Sequence, residues 1–206
     1  MIVEVQTEKL ALRRGDRSLF KDFDLRLQKG DALSLTGRNG AGKTTLLRAL
    51  AGFVRPESGA IRFIGPDGEL EAETARASGL HWLGHAEGLK PTRTAEEELV
   101  FATQWFGGSR EQAFAAADRL GLTPLLGLET RKLSAGQKRR LSLARLVAAS
   151  RPLWLLDEPL APLDSQRRKE AGSLMQDHLD AGGLIIAAVH DPLPIPSRPC
   201  LIGASL

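Results

Sequence analysis

At 206 residues, with 42% hydrophobic and 26% charged side chains, the chain is long enough for one well-cored soluble domain, alone or with an inserted subdomain. Its only cysteine, Cys200, excludes an intrachain disulfide and suggests no cysteine-based metal site, and no apolar run approaches the ~20 residues needed to span a bilayer. A formal charge of +3 suits a solvated surface or a place beside an anionic leaflet, and does not single out a nucleic-acid partner.

Taken in order, Met1 to Gln6 lacks the basic start and apolar core of a signal peptide. Residues 2–35 read as short strands separated by turn signals at Arg14-Gly15-Asp16 and Lys29-Gly30-Asp31. Ala32 to Thr36 is a strand that runs into a glycine-rich loop, and Thr44 to Ala51 is a helix ended by Gly52. Ile61 to Ile64 is a strand followed by a hairpin turn at Gly65-Pro66-Asp67-Gly68. Helical patterns then dominate at 94–106, 109–120 and 136–149. Continuous apolar runs at Leu153–Asp157 and Leu184–Val189 mark strands buried on both faces of a largely parallel sheet, with a helix at 165–181 between them. The expected architecture is an α/β core with a small N-terminal antiparallel β part and an inserted helical subdomain. Residues 1–85 and 151–206 would form the core and 86–150 the helical insertion.

The loop Gly37-Arg38-Asn39-Gly40-Ala41-Gly42-Lys43-Thr44 fits G-x-x-x-x-G-K-T between a strand and a helix. Its glycines let backbone N–H groups reach phosphate oxygens, and the following helix, with Thr45 in its first turn, adds a partial positive charge. Lys43 can reach the β and γ phosphates and the Thr44 hydroxyl can ligand Mg²⁺. This loop predicts a P-loop nucleotide hydrolase and nothing narrower. Asp157 and Glu158 end a buried apolar strand, where α/β sheets place their sites. Asp157 is expected to hold Mg²⁺ and Glu158 to orient or deprotonate the attacking water. A turn that merely ends the strand is the plainer reading of Asp-Glu-Pro alone.

Leu133-Ser134-Ala135-Gly136-Gln137 opens a helix about 20 residues before the acidic pair. It resembles the signature sequence of the ABC ATPases, and with the other motifs in order the resemblance covers essentially the whole chain. It implies that Ser134, Gly136 and Gln137 of one copy close over ATP held by the loop of a second copy, so that the working unit is a homodimer. It also implies that His190, after the last apolar strand, senses the γ-phosphate. Asp164 sits where the family has its dimer-contacting aspartate loop, although Ala161 and Pro162 depart from the usual residues there. His85 stands where family members carry a glutamine that contacts Mg²⁺ and water; an imidazole can ligand a metal or accept a hydrogen bond. The chain has no tyrosine, and Arg13 or Arg14 occupies the region of the adenine-stacking aromatic. A guanidinium can stack on a base, with a plain surface arginine the equal alternative at Arg13, so strict selectivity for ATP over GTP does not follow.

The resemblance further implies an integral-membrane permease partner near the His85 loop. Trp105, Phe106 and the arginines of 139–145 are available to it, with core packing and a solvated face as the plainer readings. The short chain, the Leu83-Gly84-His85 segment, the run from Leu133 to Arg140 and that from Pro152 to Pro159 are similar to the heme-exporter ATPases of cytochrome c maturation. That similarity implies a peripheral protein on the cytoplasmic face of the inner membrane, which need not contact heme. The alternatives are the ATPase of another small-solute or lipoprotein transporter, or a soluble P-loop kinase or GTPase.

Overall fold

The computed structural model describes residues 1–203, and they fall into two compact units. One comprises Met1–Trp82, Arg151–Glu158 and the chain from Met175 onward; the other comprises Leu83–Ser150 and Pro159–Leu174.

In the first unit, β1 (Glu4–Arg14) and β2 (Arg17–Gln28) form an antiparallel hairpin turned at Gly15. Val5, Leu10, Leu12, Leu25 and Leu27 point from it into the core. With β4 (Ser58–Gly65) and β5 (Gly68–Leu70) it makes a four-stranded sheet in the order β2-β1-β4-β5. The other sheet runs in the order β6-β7-β8-β3-β9 and contains β3 (Ala32–Thr36), β6 (Leu80–Leu83), β7 (Leu153–Asp157), β8 (Leu184–Ala188) and β9 (Arg198–Leu201). Strand β3 pairs parallel with β8 and β9, and β7 pairs parallel with β8. Every residue of β7 and β8 is buried, which is why their sequences are continuously apolar rather than alternating.

Helix α1 (Lys43–Leu50) packs on β7 and β8 of the parallel sheet and on β1 of the antiparallel one. Leu46, Leu47 and Leu50 are fully buried there, each contributing roughly 1.5–3 kcal/mol of burial free energy. The residue that opens α1 is therefore anchored by the unit's main core. Helix α2 (Ala72–Gly79), strand β6 and strand β9 were not anticipated by the sequence patterns.

Helix α6 (Ser165–Asp180) carries His178 near its end. The imidazole stacks on the Trp154 ring at 3.9 Å and 10°, and a Cβ on Gly183 would lie 2.2 Å from it. Burial pushes His178 down to about 4, against the pull of the Leu184 and Pro152 backbone acceptors. Below its ordinary value of 6.5 the unfolded chain binds a proton that the folded chain refuses. The stabilisation is intact above pH 6.5 and is lost as pH falls from 6.5 towards 4, by at most about 1.4 kcal/mol per pH unit. Denaturant unfolding at both ends of that window should show a steeper acid loss for the wild type than for His178→Gln. Equal losses would remove the assignment.

The second unit holds α3 (Ala95–Trp105), α4 (Arg110–Arg119) and α5 (Ala135–Ala148). Each begins with a capping box: Thr94 with Glu97, Ser109 with Gln112, and Ser134 with Gln137. Such caps stabilise a helix start by ~1 kcal/mol. Small buried residues, Ala113, Ala116 and Ala117, let α4 approach α5.

The side chains thought available to a partner divide sharply. Trp105 is 73% exposed and Phe106 half-buried. Arg139 is only 2% exposed, and Arg140 and Arg145 are half-buried against backbone carbonyls. These arginines bind their own unit, which corrects the surface reading of 139–145.

Candidate nucleotide site

The loop after β3 is shaped by backbone that only glycine supplies easily. Gly37 has φ 129° and Gly42 φ 113°, in the region that penalises a Cβ. Space forbids one as well: a Cβ at Gly37 would lie 2.5 Å from the Ile202 carbonyl oxygen, and one at Gly42 would crowd Phe20 and Leu19 at 3.1 and 3.3 Å. Arg38, Asn39 and Gly40 are exposed, Ala41 is half-buried, and an Ala41 N–H to Arg38 carbonyl bond closes the turn. Gly42 then caps α1, whose first residues are Lys43, Thr44 and Thr45. The result is a curved backbone at a helix N-terminus, a natural seat for phosphate.

Lys43 is 8% exposed and its Nζ donates to the Gly37 carbonyl at 2.7 Å. The ammonium thus spans the loop that it would share with phosphates. Thr44 Oγ1 donates to Asp157 Oδ1 at 3.1 Å, so two parts of the chain 113 residues apart bring two oxygen donors together. Asp157 is 4% exposed at the end of β7.

Glu158 follows with φ 51°, a left-handed conformation that costs a non-glycine residue about 1–3 kcal/mol. Its amide donates to the Ala188 carbonyl at 3.0 Å, which fixes the strained turn to the neighbouring strand. Its Oε1 lies 3.4 Å from His190 Nε2. The His190 side chain is 57% exposed and that of Glu158 20%, so this pair opens to solvent at the carboxyl ends of β7 and β8. Strain held in place by the sheet is a mark of a functional position. Nothing in the sequence signals it beyond the Asp-Glu-Pro order.

The first unit therefore brings Gly37–Thr45, Asp157, Glu158 and His190 to the carboxyl ends of adjacent strands and to α1. In the second unit Ser134 is exposed at the start of α5, and its Oγ accepts from the Gln137 amide at 3.2 Å. Gln137 Oε1 accepts from the Ser134 amide at 2.8 Å. A hydroxyl that accepts can still donate, so capping and phosphate contact are compatible at Ser134. A Cβ on Gly136 would crowd the Pro162 carbonyl oxygen at 3.1 Å. Asp164 caps α6 by accepting from the Arg167 amide at 2.8 Å.

His85 is exposed in the loop after β6, and its carbonyl accepts from Arg139 Nη2 at 3.4 Å. No group of three or more metal-ligating side chains occurs among the described residues. Arg13 pairs with Glu57 at 3.3 Å, both side chains more than a third exposed, while Arg14 is exposed at the end of β1.

Known proteins share this sequence pattern and fold. The family described as "ABC transporter" matches residues 20–161. The chain is 46% identical over 93% of its length, and 94% of the relative's, to the cytochrome c biogenesis ATP-binding export protein CcmA of Rhodopseudomonas palustris strain BisB5. It is 45% identical to the protein of the same name from Bradyrhizobium diazoefficiens, over 92% of this chain and 93% of that one. Among solved structures, an ABC transporter ATP-binding protein from Pyrococcus furiosus superposes with a TM-score of 0.83 at 19% identity, covering 97% of both chains. An ATP-binding cassette solved as a dimer with ADP and Pi superposes with a TM-score of 0.78 at 21% identity, covering 91% of this chain and 88% of that one. The chain belongs to the ABC transporter family, among the cytochrome c biogenesis ATP-binding export proteins, and is the ATP-binding and ATP-hydrolysing subunit of such a transporter.

Proposed function

We propose that two copies of this chain, bound to membrane-spanning permease subunits, hydrolyse ATP to drive heme export or delivery for c-type cytochrome assembly. What carries the reading is the 46% identity with a cytochrome c biogenesis export protein across 93% of the chain. The protein would act on the cytoplasmic face of the inner membrane, and no described helix is long and apolar enough to cross a bilayer.

In this mechanism the 37–44 backbone and Lys43 hold the β and γ phosphates of ATP, which the low exposure of Lys43 strengthens by excluding water. The paired oxygens of Thr44 and Asp157 are hard donors of the kind that would hold Mg²⁺. When bound, the ion would supply charge neutralisation on the phosphate oxygens. Glu158 orients and deprotonates the attacking water, and His190, 3.4 Å from its carboxylate, holds that carboxylate and meets the γ-phosphate. Ser134, Gly136 and Gln137 of the second copy present a hydroxyl and a helix N-terminus to the same phosphate. Arg13, tethered by Glu57, offers the base a cation rather than an aromatic ring. The permease meets the helical unit around Trp105, whose ring stacks on exposed Phe101 at 6.2 Å.

Deleting the gene in its host should abolish mature c-type cytochromes, scored by heme staining. Wild-type protein should restore them and Lys43→Ala should not. An intact cytochrome pool in the deletion strain would leave the ATPase standing and remove the heme role.

A further inference from the structure

The loop from Gly84 to Lys90 has no regular structure, yet buried charges grip it along its length. Arg139, on the second turn of α5 and 2% exposed, donates from Nη1 to the Gly84 carbonyl at 3.0 Å and from Nη2 to the His85 carbonyl at 3.4 Å. Its Nε lies 3.1 Å from Glu87 Oε1. One turn and a half further along, Arg145 donates to the Glu87 carbonyl at 3.2 Å and to Glu98 Oε2 at 2.6 Å. Glu98, 3% exposed on α3, accepts from the Lys90 amide at 3.3 Å through its other oxygen, and Arg93 stands 3.7 Å away.

All of these residues lie in the second compact unit. A planar guanidinium with donors at fixed angles sets the position of two successive carbonyls, which no apolar side chain can do. Buried ion pairs add little net stability compared with apolar packing. Their use here is therefore best explained by a need for one loop position.

We propose that Arg139 is a positioning residue that locks the 84–87 loop to the helix opened by Ser134 and Gly136, so that phosphate contact at the helix start and displacement of the loop are one motion. Arg145 and Glu98 secure the far end of the same loop. The proposal rests on the reading of 134–137 as a γ-phosphate contact. It gives the loop beside His85 a mechanical input from a segment nearly fifty residues away, without any contact between Arg139 and nucleotide.

The test uses the full chain assembled with its permease, carrying Cys200→Ser and a spin label at Ala86→Cys, an exposed position. In the parent the label is ordered and its spectrum shifts on ATP addition. In Arg139→Met the label becomes mobile and loses the ATP shift. Turnover falls roughly 10-fold or more while affinity for ATP is unchanged, and Arg139→Lys, which keeps one donor, restores part of both. Should Arg139→Met not fold, Glu87→Gln, removing the ion pair at the half-buried end, should show the same direction with a smaller fall. A label as ordered and ATP-responsive as the parent's, with turnover unchanged, overturns the proposal. Ser134→Asn keeps the helix cap but replaces the hydroxyl. If it turns over normally, the reading of 134–137 has failed and the proposal with it. If it is inactive while Arg139→Met behaves as wild type, only the lock has failed.

Discussion

Lys43→Ala is expected to reduce ATP turnover by at least ~10²–10³-fold, the loss seen when one preorganised donor to a developing charge is removed. The geometry argues for the upper part of that range. Lys43 is a full charge, nearly buried, and it already bridges to the Gly37 carbonyl at 2.7 Å. The truncation would remove the phosphate's cation and also the brace across the loop. The second effect would weaken ATP binding without touching the core, because Leu46, Leu47 and Leu50 remain to hold α1. Turnover of the permease-bound protein together with a thermal melt separates the two. A normal melt with lost turnover is the expected result, and near-normal turnover would remove the assignment of this loop.

Glu158→Gln is expected to bind ATP as the wild type does and to hydrolyse it ~10²–10⁴-fold more slowly, the range that a general base supplies. The amide fills the same space, leaves the strained turn bonded to Ala188 through its backbone, and can still accept from His190. Only proton affinity is lost. Single-turnover measurement of Pi release reads the chemical step directly. Wild-type rates would move water activation elsewhere, with His190, 3.4 Å away, the next group to examine.

Both predictions depend on residues readable in the sequence, and the reasons differ by residue. Gly37–Thr44 and Asp157-Glu158 announce themselves because a strand, a tight turn and a helix each leave a local pattern. Helices α3, α4 and α5 were legible within one or two residues because capping boxes punctuate their starts. Helix α2 was not, since its eight residues bury only Ala75 and Gly79 and so leave no apolar period to read. Strand β9 is an edge strand, mostly exposed and carrying Pro199, which is a composition that reads as loop. The arginines of α5 misled for a different reason. A charge pattern on a helix resembles a solvated face, and the carboxylates that draw Arg139 and Arg145 inward, Glu87 and Glu98, lie some fifty residues away in sequence. The left-handed turn at Glu158 has no sequence signal of its own. It follows from strand pairing that only the fold reveals.

In the proposed mechanism the loop around Lys43 is half of a site completed by Ser134 and Gly136 of a second copy. The direct measurement is equilibrium sedimentation of Glu158→Gln with saturating ATP and with ADP. The expected result is a dimer with ATP, a monomer with ADP, and loss of the ATP-dependent dimer when Ser134→Asn is added. A protein that binds ATP fully and sediments as a monomer, alone and with its permease removed or present, would contradict it.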